Sequence, residues 1–203
     1  MTAKPTVFVV DDNSGVRSSL QALVEAAGLS AETYASPAEF LAAYDVRHPG
    51  CLLLDVRLRG ADGLDLQSEL RKRGATLPII VMTGYADVPT SVRALKGGAI
   101  DFLQKPVPPK TMIARVRDAL EVDQRARAAA ATRDVVTERI AHLTPRERQV
   151  MDLMAAGNSS KEIAATLKIS VRTVEGHRRV VLNKMCVESA AHLARAVARL
   201  DRT

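Results

Sequence analysis

The sequence predicts an α/β domain, a doubly wound sheet of five parallel strands, followed by a small all-α domain of four helices, the two joined by a long helical linker. Three observations point there. Short apolar runs alternate with helix-period segments through the first part of the chain, which implies right-handed crossovers and a parallel sheet. One such run, residues 51–54 (C-L-L-L), has no polar alternation and ends in Asp55, as suits a central strand covered on both faces. Charge is unevenly placed: residues 1–124 hold 14 Lys and Arg against 15 Asp and Glu, net −1, and residues 125–203 hold 15 against 8, net +7.

Taken in order, residues 7–10 form a second apolar run, ending at Asp11 and Asp12. Asn13 or Ser14 caps a helix with apolar positions Val16, Leu20, Leu23, Val24 and Ala27, stopped by Gly28. Residues 30–34 read as a strand, 37–44 as a helix opened by Ser36, and 64–72 as a helix after the loop at Gly60 to Gly63. Residues 77–82 give a buried strand ending at Thr83, 88–96 a helix, and 100–103 the last strand, ending at Lys105. Residues 110–141 contain neither Gly nor Pro and read as one long helix that becomes the linker; a disordered Ala/Arg tether is the alternative. The linker arginines Arg125, Arg127, Arg133 and Arg139 read as solubilising, with pairing to a second chain as another possibility.

Beyond residue 143 four short helical patterns follow. Thr144-Pro145-Arg146-Glu147 has the form of a capping box, Gly157 ends that helix, and Ser159 or Ser160 opens the next over residues 161–167. Ser170 caps a third over residues 171–185, and Glu188 or Ser189 opens a fourth running to Leu200. A short helix, a turn at Lys168-Ile169-Ser170 and a polar, Arg-rich helix match the helix-turn-helix plan. All six aromatic residues lie in the first part, which disfavours single-strand stacking by the basic part and favours duplex reading by a helix.

In a parallel sheet the carboxyl ends of the strands form the reactive rim, so Asp11, Asp12, Asp55, Thr83 and Lys105 should converge. Three carboxylates repel one another, and hard oxygen ligands favour Mg2+ as the neutralising ion. Beside a cation, Asp55 becomes a nucleophile able to accept a phosphoryl group as an acyl phosphate, with the Thr83 hydroxyl and the Lys105 charge as ligands for its oxygens. A phosphohydrolase of similar architecture usually needs a second acid/base Asp two residues after the nucleophile, where this chain has Arg57. A phosphate-independent binding protein, whose first domain acts only as a scaffold, is a further alternative, and the complete acidic site argues against it. Cys51 and Cys186 show no metal spacing and read as reduced thiols; with no membrane span or signal pattern, a cytoplasmic location is expected.

Residues 5–122 resemble a response-regulator receiver domain, with V-F-V-V-D-D, L-L-L-D-V-R-L, V-M-T-G-Y and G-A-I-D-F-L-Q-K-P in register. Residues 143–200 resemble the LuxR-type helix-turn-helix through L-T-P-R-E-R-Q-V-M and S-V-R-T-V-E-G-H-R. The combination is that of NarL/FixJ-type regulators, and residues 84–106 together with Glu175 favour the FixJ-like branch. The resemblance implies strand order 2-1-3-4-5, a receiver over residues 1–122, a linker over 123–141 and a DNA-binding domain over 142–203. It implies Asp55 as phosphoacceptor and Mg2+ held by Asp11, Asp12, Asp55 and the backbone carbonyl of Arg57. Lys105 pairs with the phosphate, Thr83 moves toward it, Phe102 turns inward, and Arg57 and Tyr85 tune the lifetime of the phosphate. The face near Val92, Lys96 and Asp101 pairs two receivers.

The implied partners are a sensor histidine kinase, double-stranded promoter DNA, RNA polymerase and, on phosphorylation, a second copy of the chain. By the family pattern Glu175, Gly176 and Arg179 face bases, while Lys161, Arg172, Thr173, Arg178 and Lys184 contact the DNA backbone. His177 is either a phosphate contact or a capping or packing residue. Val174, Val181 and Leu182 pack inward. The stripe Ala190, Leu193, Ala194 and Val197 on the last helix is ordinary core or a dimer seam, with Leu193 and Val197 as the candidate seam residues. Two departures stand out: Val107, where the FixJ-like pattern usually has Phe, is expected to loosen the receiver pairing face, and Gly176 lies inside the reading helix.

Overall fold

The structure is a computed structural model that describes residues 4–58, 61–84 and 88–200. It divides into two compact units, Met1–Arg127 and Ala128–Thr203. In the first, the strands are β1 (Thr6–Val10), β2 (Ser30–Tyr34), β3 (Gly50–Asp55), β4 (Ile79–Thr83) and β5 (Asp101–Gln104). All pair in parallel in the order β2-β1-β3-β4-β5. The connecting helices are α1 (Ser14–Ala26), α2 (Pro37–Ala43), α3 (Gly63–Lys72) and α4 (Val88–Lys96), and α5 (Pro109–Ala141) follows β5. A two-residue antiparallel ladder, Arg57–Leu58 with Ala61–Asp62, lies between β3 and α3 and was not foreseen. β4 starts two residues later than expected because Pro78 has no N–H for the ladder, although its carbonyl accepts from the Leu52 N–H at 2.9 Å.

The continuous apolar runs exist because each strand feeds two cores. Phe8, Val10, Leu52, Leu54 and Val81 enter one, with Phe40 of α2 and Leu66 and Leu70 of α3. Val7, Val9, Cys51, Leu53 and Ile80 enter the other, with Val24 of α1 and Met112, Val116 and Ala119 of α5. Strand side chains alternate between faces, so two filled faces require apolar residues at every position. Burial also pushes the Cys51 thiol up to about 12, which leaves it inert. Among the described residues no helix is long and apolar enough to cross a membrane.

Local signals set the ends of the elements. Asn13 caps α1 by accepting from the N–H groups of Gly15 and Val16, and Gly28 leaves that helix with φ +78°. In the second unit Thr144 and Glu147 close a capping box on α6 (Pro145–Ala155), and Ser159 and Glu162 close another on α7 (Ser160–Leu167). Ser170 caps α8 (Val171–Met185) and Ser189 caps α9 (Ala190–Ala198). Between α7 and α8 Lys168 takes a left-handed conformation, φ +53°, which makes the turn tight. The core of this unit joins Val150, Met151 and Met154 of α6, Ile163 of α7, Val174, Val181 and Met185 of α8, and Leu193 of α9.

The linker arginines correct the expectation of mere solubilisation. Arg127 pairs with the buried Asp123 at 2.8 Å and donates to the carbonyls of Arg47 and His48 at 2.9 and 2.7 Å. Asp123 also accepts the N–H of Gly50, the first residue of β3, at 2.9 Å. Gly50 is required there, since a Cβ would fall 2.0 Å from the Thr6 carbonyl oxygen. Further along α5, Val136 and Ile140 enter the core of the second unit, and Arg139 donates to the Met185 carbonyl at 2.9 Å. Residues 123–141 are thus divided between two packed units.

Two predictions follow from these buried charges. Asp123→Ala strips the Gly50 N–H and the Arg127 guanidinium of their shared acceptor and should cost about 2–4 kcal/mol in urea unfolding of the full chain; an unchanged midpoint would refute the clasp. In the second unit the Lys184 ammonium, 2.7 Å away, and then the Thr144 N–H hold the Glu147 carboxyl below its ordinary 4.5. The folded-state value is the depressed one, so this contribution is complete above 4.5 and fades as pH falls through the folded value. Thermal melts should show Glu147→Gln less stable than the parent at neutral pH, with the gap closing below that range.

Candidate functional site

Strand register builds the first site. Val10 pairs with Leu54, so Asp11 emerges level with Asp55; Asp55 pairs with Met82, one residue before Thr83; and Thr83 pairs with Gln104, one residue before Lys105. Four adjacent strands thus end within two residues of one another in register, which puts Asp11, Asp55, Thr83 and Lys105 along one rim of the sheet. Lys105 joins them: its Nζ lies 2.6 Å from Asp11 Oδ2 and 2.7 Å from Asp55 Oδ2. Its backbone N–H donates to the Thr83 carbonyl at 2.8 Å, which ties the end of β5 to that of β4.

Each carboxylate is further held by the backbone after it. The Asn13 N–H donates to Asp11 Oδ1 at 2.9 Å, and the Arg57 N–H to Asp55 Oδ1 at 3.1 Å. Asp11 is buried, Asp55 nearly so and Asp12 half-buried, and one oxygen from each of the three lies within 4.8 Å of the others. Gly63 makes room behind the site, for a Cβ there would stand 2.1 Å from the Asp55 carbonyl oxygen. Burial alone would lower the Lys105 pKa, but hydrogen bonds and charge from Asp11 and Asp55 outweigh it and hold the ammonium above its ordinary value. Three carboxylates against one ammonium leave a formal −2. A divalent cation with oxygen preference fits that charge and that donor set.

The remaining receiver positions have mixed settings. Thr83 is buried and Phe102 half-buried against the core on the α2–α4 side. Arg57 sits in the short ladder beside the site, and Tyr85 lies outside the described residues. On the α4 side Val92 and Lys96 are exposed, next to exposed Val88, Leu95 and Ile100, while Asp101 pairs with Arg115 at 3.1 Å. Val107 packs, half-buried, against the core on the α1 and α5 side.

The second site is the outer face of α8. Arg172, Thr173, Glu175, Gly176 and Arg179 are exposed, Lys161 on α7 is exposed, and His177 and Arg178 are half-buried. A Cβ at Gly176 would meet nothing within 4 Å, which marks an open surface. Val174 and Val181 are buried and Leu182 partly so, as their inward positions predict. Two expectations need correction. Lys184 does not stand free for a DNA phosphate: its ammonium is engaged by Glu147 and by the His142 carbonyl at 3.2 Å. Leu193 is wholly buried in the unit's own core, so it is no surface seam; Val197 is half-buried against the same core. Sequence reasoning missed the Asp123–Arg127 clasp, whose i,i+4 spacing was visible but whose partners at residues 47–50 were not.

Comparison with known proteins agrees with this geometry. The response regulator receiver domain family matches residues 7–117, and the family of bacterial regulatory proteins of the luxR type matches residues 141–197. The transcriptional regulatory protein FixJ of Bradyrhizobium diazoefficiens is 38% identical over 98% of this chain and 97% of its own. FixJ of Azorhizobium caulinodans is 44% identical over 93% of this chain and 90% of its own. Among solved structures, the response regulator StyR is 38% identical with a TM-score of 0.85, covering 97% of this chain and 100% of StyR. Full-length FixJ from B. japonicum is 36% identical with a TM-score of 0.59, covering all of both chains. The chain therefore belongs to the NarL/FixJ-type two-component response regulators, transcription regulators that join a receiver domain to a LuxR-type DNA-binding domain.

Proposed function

We propose that Asp55 accepts a phosphoryl group from a partner histidine kinase in the cytoplasm, and that the phosphorylated receiver pairs two chains on promoter DNA. The observation that carries this is the Lys105 ammonium bridging Asp11 and Asp55 at the rim of the sheet. An Asp55 carboxylate oxygen attacks the phosphorus of the kinase phosphohistidine; the new O–P bond forms as the P–N bond breaks, and the imidazole leaves with the bonding pair. Receiver domains bind Mg2+ at an acidic pocket of this kind. Asp11, Asp12, Asp55 and the backbone carbonyl of Arg57 would hold the ion, which supplies positive charge between the carboxylates and the incoming phosphate.

The acyl phosphate adds charge where Asp55 had one negative charge, and three new acceptor oxygens. Lys105 turns from the carboxylates toward these oxygens, the Thr83 hydroxyl donates to one, and Phe102 follows into the space that Thr83 vacates. Phosphate thereby favours one receiver state over the other, which is population shift. That state reshapes the already exposed face near Val92, Lys96 and Asp101 for pairing, and two α8 helices then gain avidity on paired half-sites. On DNA, Arg179 and Glu175 read base edges and Gly176 permits close approach, while Lys161, Arg172, Thr173, Arg178 and His177 meet phosphates. RNA polymerase is the downstream partner and activation the expected output.

Treated with acetyl phosphate and Mg2+, the parent should dimerise in sedimentation and bind promoter DNA more tightly, and Asp55→Asn should do neither; equal responses would overturn the switch. On DNA, Arg179→Ala should cost about 1–3 kcal/mol at one base position, whereas Arg172→Ala should weaken all sequences alike and lower the salt slope by about 1. Titrations at two salt concentrations on matched and mismatched sites separate the two.

A further inference from the structure

At the end of the sheet away from Asp55, a cavity of about 750 Å³ opens between the strand starts and α5. Its size falls in the range of roughly 300–1,000 Å³ that small ligands use. The wall is apolar, formed by Pro5 ahead of β1, Leu29 ahead of β2, Pro49 ahead of β3, and Leu120 of α5. Its charges are unbalanced. Arg127 is matched by Asp123 at 2.8 Å, Arg47 by Asp45 at 2.9 Å, and Glu121 by Arg125 at 2.9 Å. Lys4 and Arg117 also line the cavity, and among the described residues neither has a carboxylate within salt-bridge distance.

We infer that this cavity binds a small organic monocarboxylate with an apolar body, its carboxylate held by Arg117 and Lys4. The guanidinium fork matches a carboxylate in two parallel hydrogen bonds, and the lysine adds a point charge. An inorganic phosphate would leave the Pro and Leu walls wet, and a cation would meet Lys4 and Arg117 head on. The floor includes Asp123 and Arg127, so an occupant rests on the clasp that holds the start of β3 to α5. The site is separate from the phosphoryl site, being at the other end of the strands, and does not depend on it.

The test is calorimetric titration of the full-length chain with octanoate, using octan-1-ol and octylamine as neutral and cationic matches. Octanoate should bind saturably at one site per chain, and the two controls at least about tenfold more weakly. Arg117→Ala and Lys4→Ala should each weaken octanoate about tenfold, and Arg117→Glu should abolish binding, all with unchanged circular dichroism, since Arg117 is exposed. Amide shifts should cluster at Lys4, Leu29 and Leu120, and Asp55→Asn should bind as the parent does. No saturation up to about 10 mM, equal binding of octan-1-ol, equal binding by the Lys4 and Arg117 variants, or shifts centred elsewhere would each overturn the assignment.

Discussion

One ammonium group holding two carboxylates sets the terms for the receiver. Asp11 and Asp55 approach each other at the edge of a low-dielectric sheet, and such an approach stands only if a cation sits between them. Lys105 can be that cation because β5 pairs with β4 in a register that ends its backbone beside Thr83. A slip of one residue in any of these strands would turn its side chain to the other face and empty the rim. The two filled cores therefore do more than stabilise: by requiring apolar residues on both faces, they allow a single register, and that register is what assembles the site.

The same logic explains what could be read in the sequence and what could not. Strand runs ending in Asp11, Asp55 and Thr83, the capping box at Thr144, the helix start at Ser159 or Ser160 and the turn before Ser170 are local, and their physics lies within a few residues. The acidic cluster was legible because a parallel sheet must bring strand ends together. Three features were not. The Lys184–Glu147 pair spans 37 positions, and the Asp123–Gly50 bond spans 73. The side-chain stripe of α9 fits a core and a seam equally well, and the full burial of Leu193 decides for the core. Long-range pairing of a charged residue leaves no periodic trace, so such residues default wrongly to the solvent.

That default matters most on α8. Its basic content suggests many hands for DNA, but the helix must first be anchored. Val174, Val181 and Met185 supply the apolar side, and Lys184 is spent on Glu147, which itself caps α6. What remains outward is the amino-terminal stretch from Arg172 to Arg179, next to the tight turn made by Lys168. The anchoring charge at the carboxyl end and the exposed charges at the amino end divide one basic helix into an anchored half and an open half.

β3 shows a matching division in the receiver. Its six residues span roughly 17 Å. The first is held through its N–H by Asp123, and the last through its side chain by Lys105 and the Arg57 N–H. Between them every residue is buried in one of two packed cores. A strand fixed at both ends and on both faces cannot yield when charge is added at its tip. Under the proposed phosphorylation of Asp55, the response would come from the neighbouring strand ends, where Lys105 is partly exposed and Phe102 half-buried, and would pass outward along β4 and β5 to the α4 side. In that proposal the rigidity of β3 is what gives a local charge a direction.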